Sequence, residues 1–138
     1  MRINKWAMES ELFVRMSPQA AAPKRISSDS ACWDLRALGA HRLRPSERCP
    51  VPTGCGVRLP DGYVAVVCTR SGVATNRRIT VISPPGVISP DHDGEIEVVL
   101  INYSSQPVDI APGERVAQLM LLPLGSFFGR ARYLARKG

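Results

Sequence analysis

Three short segments of this sequence combine residue types that can act on an anion. Thr69-Arg70-Ser71-Gly72 follows an apolar run and opens residues 71–77, the one stretch where a helical turn or two is expected. Backbone N–H groups opening such a turn, beside a hydroxyl and a guanidinium, make a small anion cradle. An ordinary strand-to-turn cap has the same composition. The second segment, Gly86-Val87-Ile88-Ser89-Pro90-Asp91-His92-Asp93-Gly94-Glu95-Ile96, reads as a polar loop between apolar runs, with three carboxylates and one of the chain's 2 histidines. Solvated turns share that make-up too. In the third, Gly113-Glu114-Arg115-Val116-Ala117-Gln118-Leu119, Gln118 interrupts a run otherwise apolar through Leu122 and needs hydrogen-bond partners if buried. A structural glutamine at a sheet edge is the plain alternative.

The elements that must hold these segments read as strands. Apolar residues recur near period two in residues 12–16, 63–68, 79–82, 95–102 and 115–122. Between them stand Pro60-Asp61-Gly62, Ser83-Pro84-Pro85-Gly86, residues 104–107 and Ala111-Pro112-Gly113, turn chemistry at the spacing of an all-β sandwich or barrel. No 3.6-residue stripe is long enough for a substantial helix. The chain has 138 residues, the size of one compact domain with one core. Residues 1–124 are read as that β domain and 125–138 as a basic tail.

Charge and composition narrow the partners. The formal net charge is +6, which favours anionic ligands such as nucleotides or an acidic protein surface, and Arg130, Arg132, Arg136 and Lys137 place much of the excess on the tail. Aromatic residues are only 6%, too few for the stacked platforms of single-strand binders, so nucleic acid is not the expected partner. No apolar run approaches the roughly 18 residues of a bilayer span, and residues 1–29 lack the apolar core of a secretory signal. Cys32, Cys49, Cys55 and Cys68 stand 17, 6 and 13 positions apart, with no CxxC pair. Reduced thiols in a cytoplasmic or nuclear setting are expected.

Taken together and in order, these segments resemble the deoxyuridine triphosphatase (dUTPase) family. Ser30-Ala31-Cys32-Trp33-Asp34-Leu35-Arg36-Ala37 is similar to the first motif, an Ala-Gly-aromatic-Asp-Leu block, with Cys32 in place of glycine. Thr69-Arg70-Ser71-Gly72-Val73-Ala74 resembles the second, Pro-Arg-Ser-Gly, with Thr69 in place of proline. Residues 79–82 running into 86–96 resemble the third, a hairpin, and Pro112-Gly113-Glu114-Arg115-Val116-Ala117-Gln118-Leu119 matches the fourth closely. The resemblance spans residues 12–123.

It implies a β jelly roll of the β-clip type, assembled as a homotrimer with three active sites at subunit junctions. The implied reaction is hydrolysis of dUTP to dUMP and diphosphate with Mg2+ held mainly by the triphosphate. In such a site Asp34 holds metal-bound water, Arg70, Ser71 and Gly72 form the phosphate cradle, and Gln118 adds a donor to the phosphate chain. Ser83, Gly86, Val87 and Ile88 belong to the hairpin that reads uracil through backbone groups.

The departures fall on the reacting groups. The family's third motif, Gly-x-Ile-Asp-x-x-Tyr-x-Gly, places its water-activating aspartate where this chain has Ser89, a poor general base near neutral pH. Asp91 is the candidate substitute, but in extended chain it lies roughly 6.5 to 7 Å away, and Pro90 makes a compensating backbone shift harder. The tyrosine that packs on deoxyribose is His92, and the glycine-rich fifth motif is not recognisable in residues 125–138. The expected protein therefore keeps the fold and part of the cradle while its hydrolytic step is impaired or lost, acting as a nucleotide-sensing or protein-binding module with an as yet unidentified protein partner. The alternative is an active but divergent dUTP diphosphatase or related deoxynucleotide hydrolase.

Overall fold

Eleven strands, and among the described residues no helix, make up the computed structural model, which describes residues 13–25, 32–70, 78–81, 86–89, 92, 94–124 and 134–135. In chain order they are β1 (Phe13–Met16), β2 (Cys32–Arg36), β3 (His41–Leu43), β4 (Arg48–Pro52), β5 (Cys55–Arg58), β6 (Tyr63–Cys68), β7 (Ile79–Val81), β8 (Gly86–Ile88), β9 (Glu97–Asn102), β10 (Val108–Ile110) and β11 (Arg115–Pro123). Every pairing between them is antiparallel. A four-stranded sheet runs β2-β11-β6-β8 and a three-stranded one β4-β9-β7, with the pairs β1-β5 and β10-β3 beside them.

One core lies between the sheets, as the alternation predicts. Leu35, Ala65, Val67, Ala117 and Leu119 come from the four-stranded sheet, and Val51, Ile79, Val81, Val98 and Leu100 from the other. On β9 the period is plain: Val98, Leu100 and Asn102 are buried while Glu97 and Val99 face out. All five segments with period-two patterning are strands, at slightly shifted bounds. The segment 86–96 is not wholly a loop, because Gly86–Ile88 forms the edge strand β8, with Val87 opposite Val66 and Ile88 opposite Ala65. Two β-branched side chains on a pleated surface outweigh the polar context that follows them. The expected helical turn at 71–77 lies outside the described residues.

Two turns fix what reaches the site. Ala111-Pro112-Gly113-Glu114 closes with Glu114 N donating to Ala111 O at 3.1 Å, and Gly113 has φ +80°, the third-position requirement of a type II turn. Its Gly113 N–H reaches Ala37 O at 2.8 Å, so the end of β2 and the start of β11 are tied together. At the other turn, Ile96 N donates to Cys55 O at 2.7 Å and the Thr53 hydroxyl donates to Ile96 O at 2.8 Å. These bonds hold the root of the segment that carries His92.

Gly56 sits at that root with no room for a side chain, since a Cβ there would lie 2.7 Å from the backbone oxygen of Gly94. The clash is with main chain, so the root itself must move. Gly56→Ala is expected to cost about 1–3 kcal/mol, the usual range for overpacking, read as a lower midpoint in urea unfolding. An unchanged midpoint would mean that the root is not held by this contact.

Candidate active site

Asp34 is 7% exposed, which for a carboxylate demands partners. It sits in the middle of β2, on the face of the sheet opposite the core, in line with Gln118 of β11 and Cys68 of β6. Its backbone N–H donates to Lys24 O at 2.8 Å, so the segment before β2 covers the strand's outer edge. Arg25 in that segment lies over the Trp33 ring, 5.0 Å from its centroid.

Two guanidinium groups meet the carboxylate. Arg70 Nε stands 3.1 Å from Asp34 Oδ1, and Arg115 Nη1 donates to Oδ2 at 3.4 Å. The Arg70 side chain is itself 18% exposed, so this pair is largely removed from water, whereas Arg115 at 43% remains half solvated. A carboxylate so enclosed is tolerated because each oxygen has a cationic donor.

Arg115 reaches Asp34 because of an irregularity in β11. Ala117 pairs with Leu35 but Arg115 pairs with Arg36, so two steps on β11 match one on β2. This is a bulge at Val116, and it reverses the side on which the preceding residue projects. Regular alternation would set Arg115 on the core face with Ala117 and Leu119. With the bulge it joins Asp34 and Gln118. Reading the sequence at strict period two therefore passes over Arg115, although it stands inside the fourth motif; an arginine followed directly by two apolar positions, Val116 and Ala117, was the available signal.

Gln118 does not lie at an edge. β11 is flanked by β2 and β6, and the amide donates through Nε2 to the carbonyl oxygen of Thr69 at 3.3 Å. Thr69 and Arg70 continue from β6, so Asp34, Arg70 and Gln118 of the expected site residues are brought together, along with Thr69 and Arg115, to which the sequence assigned no role. Cys32 shares their face. Burial pushes its thiol up, and Cys68 and Asp34 add to the shift, so it stays protonated at neutral pH and brings no negative charge to the cradle.

Other expected site residues are set apart. Gly86, opposite Val67, is nearest the cradle, and Val87 and Ile88 follow. The strand then runs away from it, which puts Ser89 level with Val64, four positions down β6 from Cys68. At strand and sheet spacings that is about 13 Å along the sheet, and Asp34 is about 14 Å further across it. Ser89 is exposed, and its carbonyl oxygen accepts from His92 N at 3.0 Å; the exposed His92 ring lies beside Gly94. Within one chain Ser89 and His92 cannot share a small ligand with Asp34. Ser71, Gly72, Ser83, Asp91 and most of residues 125–138 lie outside the described residues.

A family model described as dUTPase matches residues 18–131. The chain belongs to the dUTPase family. The deoxyuridine 5'-triphosphate nucleotidohydrolase of Hydrogenobaculum sp. (strain Y04AAS1) is 40% identical over 114 residues, 82% of this chain and 79% of that one. The protein of the same name from Anaplasma marginale (strain St. Maries) is 44% identical over 109 residues, 78% and 71% of the two chains. A mutant dUTPase from phage phi11 of S. aureus, in which a structural Mg(II) ion is coordinated, has the same fold, with a TM-score of 0.81 at 21% identity over 92% of this chain and 98% of that one. The Staphylococcus bacteriophage 80alpha dUTPase matches equally, at 0.81 and 21% over 92% and 99%. Family membership and the all-β jelly roll expected from the motifs are thereby established.

The residues also bear on Mg2+. Among the described residues no three His, Cys, Asp or Glu side chains come together as a metal site. A single carboxylate fits an ion that arrives on the phosphates and keeps its own water, the usual habit of magnesium.

Proposed function

We propose that this chain binds a deoxyuridine nucleotide at junctions between three copies of itself, and that hydrolysis of dUTP to dUMP and diphosphate is slow or lost. The observation that carries the reading is the enclosed Asp34, clasped by Arg70 and Arg115 at the end of β6 beside Gln118. A polyphosphate would take guanidinium donors from Arg70 and from the cradle it opens, while Asp34 would hold water on a magnesium ion carried by the phosphates. That ion neutralises phosphate charge.

The distance between Ser89 and Asp34 supports a shared site. A nucleotide touching both needs Ser89 and His92 from one copy and Asp34, Arg70 and Gln118 from another. Gly86, Val87 and Ile88, with Ser83 before them, would then offer backbone groups to the base. Gln118 keeps a second amide hydrogen for phosphate while its first holds Thr69.

Impairment is proposed from Ser89, because a hydroxyl cannot take a proton from water as a carboxylate does. In that case nucleotide occupancy itself, with the tail of residues 125–138 offered to an acidic protein surface, is the function. The rival, an active but divergent dUTP diphosphatase, is favoured by the activity in the relatives' names at 40–45% identity. In either case a cytoplasmic or nuclear setting is proposed.

One titration decides most of this. Calorimetry with a non-hydrolysable dUTP analogue and Mg2+ is expected to give one site per chain, on a species scattering light as three times 15.1 kDa. A monomer at micromolar concentration would remove the shared site, and absence of heat would remove nucleotide binding. Diphosphate release from dUTP at the rate of an ordinary enzyme would favour the rival.

A further inference from the structure

We infer that Thr69, which stands where the family motif has proline, is the positioning residue that fixes the phosphate cradle to the neighbouring sheet; this rests on the nucleotide-binding reading above. Its hydroxyl accepts a hydrogen bond from Val81 N at 3.0 Å and lies 2.7 Å from the Thr80 hydroxyl. Its carbonyl accepts from Gln118 Nε2 at 3.3 Å. One residue is therefore held from both sides. β6 is an inner strand of the four-stranded sheet and β7 an outer strand of the three-stranded one, so the hydroxyl joins the two sheets just before Arg70.

The consequence is mechanical. Arg70 follows Thr69 directly and makes the ion pair with Asp34. Proline at this position fixes only its own φ and has no donor or side-chain oxygen. Threonine, stiff at χ1, replaces that local restraint with a bond to the neighbouring sheet. Movement of β7 is thereby passed to the cradle, and the place of Arg70 against Asp34 is set by the Thr69 clip.

The test compares a triphosphate with a monophosphate. In Thr69→Val, which keeps the shape and removes the hydroxyl, affinity for the non-hydrolysable dUTP analogue with Mg2+ is expected to fall about five- to tenfold, the worth of one or two hydrogen bonds, while affinity for dUMP changes less than twofold. Thr69→Ser restores the bond and is expected to recover most of the loss. Thermal midpoints are measured alongside. If Thr69→Val does not fold as the wild type does, Thr80→Val removes the paired hydroxyl from the other strand and is expected to lower the triphosphate-to-monophosphate ratio two- to threefold. Equal losses for both ligands, an unchanged ratio, or failure of serine to rescue would overturn the clip alone. A wild-type protein that binds no analogue would overturn the clip and the nucleotide reading together.

Discussion

Ser89→Asp is expected to raise diphosphate release from dUTP by roughly 10²- to 10⁴-fold, the contribution of a positioned general base. Ser89 follows β8 at an exposed position, and among the described residues its hydroxyl makes no hydrogen bond, so a carboxylate fits without displacing a partner. Its carbonyl is already fixed by His92 N, which keeps the backbone in place when the side chain changes. The gain would be visible only if Asp34 and Arg70 of a neighbouring copy meet the new carboxylate across the nucleotide. The wild type is expected to release little. An inert variant would place the limit at the sugar-facing position, and Ser89→Asp combined with His92→Tyr would then restore turnover. Rapid wild-type release would refute the impaired reading outright.

The second large effect is expected at Asp34. Asp34→Asn keeps the volume and removes the charge, leaving Arg70 with no carboxylate in a place where water replaces it poorly. Stability should fall by about 3 kcal/mol, the low end for breaking one side of a buried pair, because Arg115 is solvated enough to release its share without cost. The same change replaces the anionic acceptor for water on a phosphate-bound magnesium by a weaker, neutral amide oxygen. The enhancement of analogue binding by Mg2+, at least about tenfold if Asp34 has this role, should disappear. Urea unfolding and paired titrations with and without Mg2+ check both effects. A variant equally stable and still helped by magnesium would show that Asp34 is neither the keystone of the pair nor the acceptor for the ion's water.

Much of the fold is written in short-range chemistry. Residues 97–102 alternate, Gly62 and Gly113 take the positive φ their turns require, and an apolar face on each strand leaves a two-sheet core as its burial. The shorter strands β3, β4 and β10 are less legible, since three to five residues such as His41-Arg42-Leu43 carry too few apolar positions for a period to register. The chemical residue types of the site were legible too. Asp34, Arg70 and Gln118 are named by motif, and the structure brings those three together.

The sequence by itself determined the family, the all-β architecture and which residue types stand in the motifs, because each depends on residue type or on contacts a few positions apart. Only the tertiary structure decided that Arg115 faces Asp34, since a single bulge inverts the alternation on which a linear reading depends. It alone decided that Thr69 joins the two sheets, a contact between strands that are not partners in either sheet. And it alone separated Ser89 from Asp34. Antiparallel pairing makes β8 run away from the cradle as β6 runs toward it, so motifs that follow one another in the chain end on different parts of the surface.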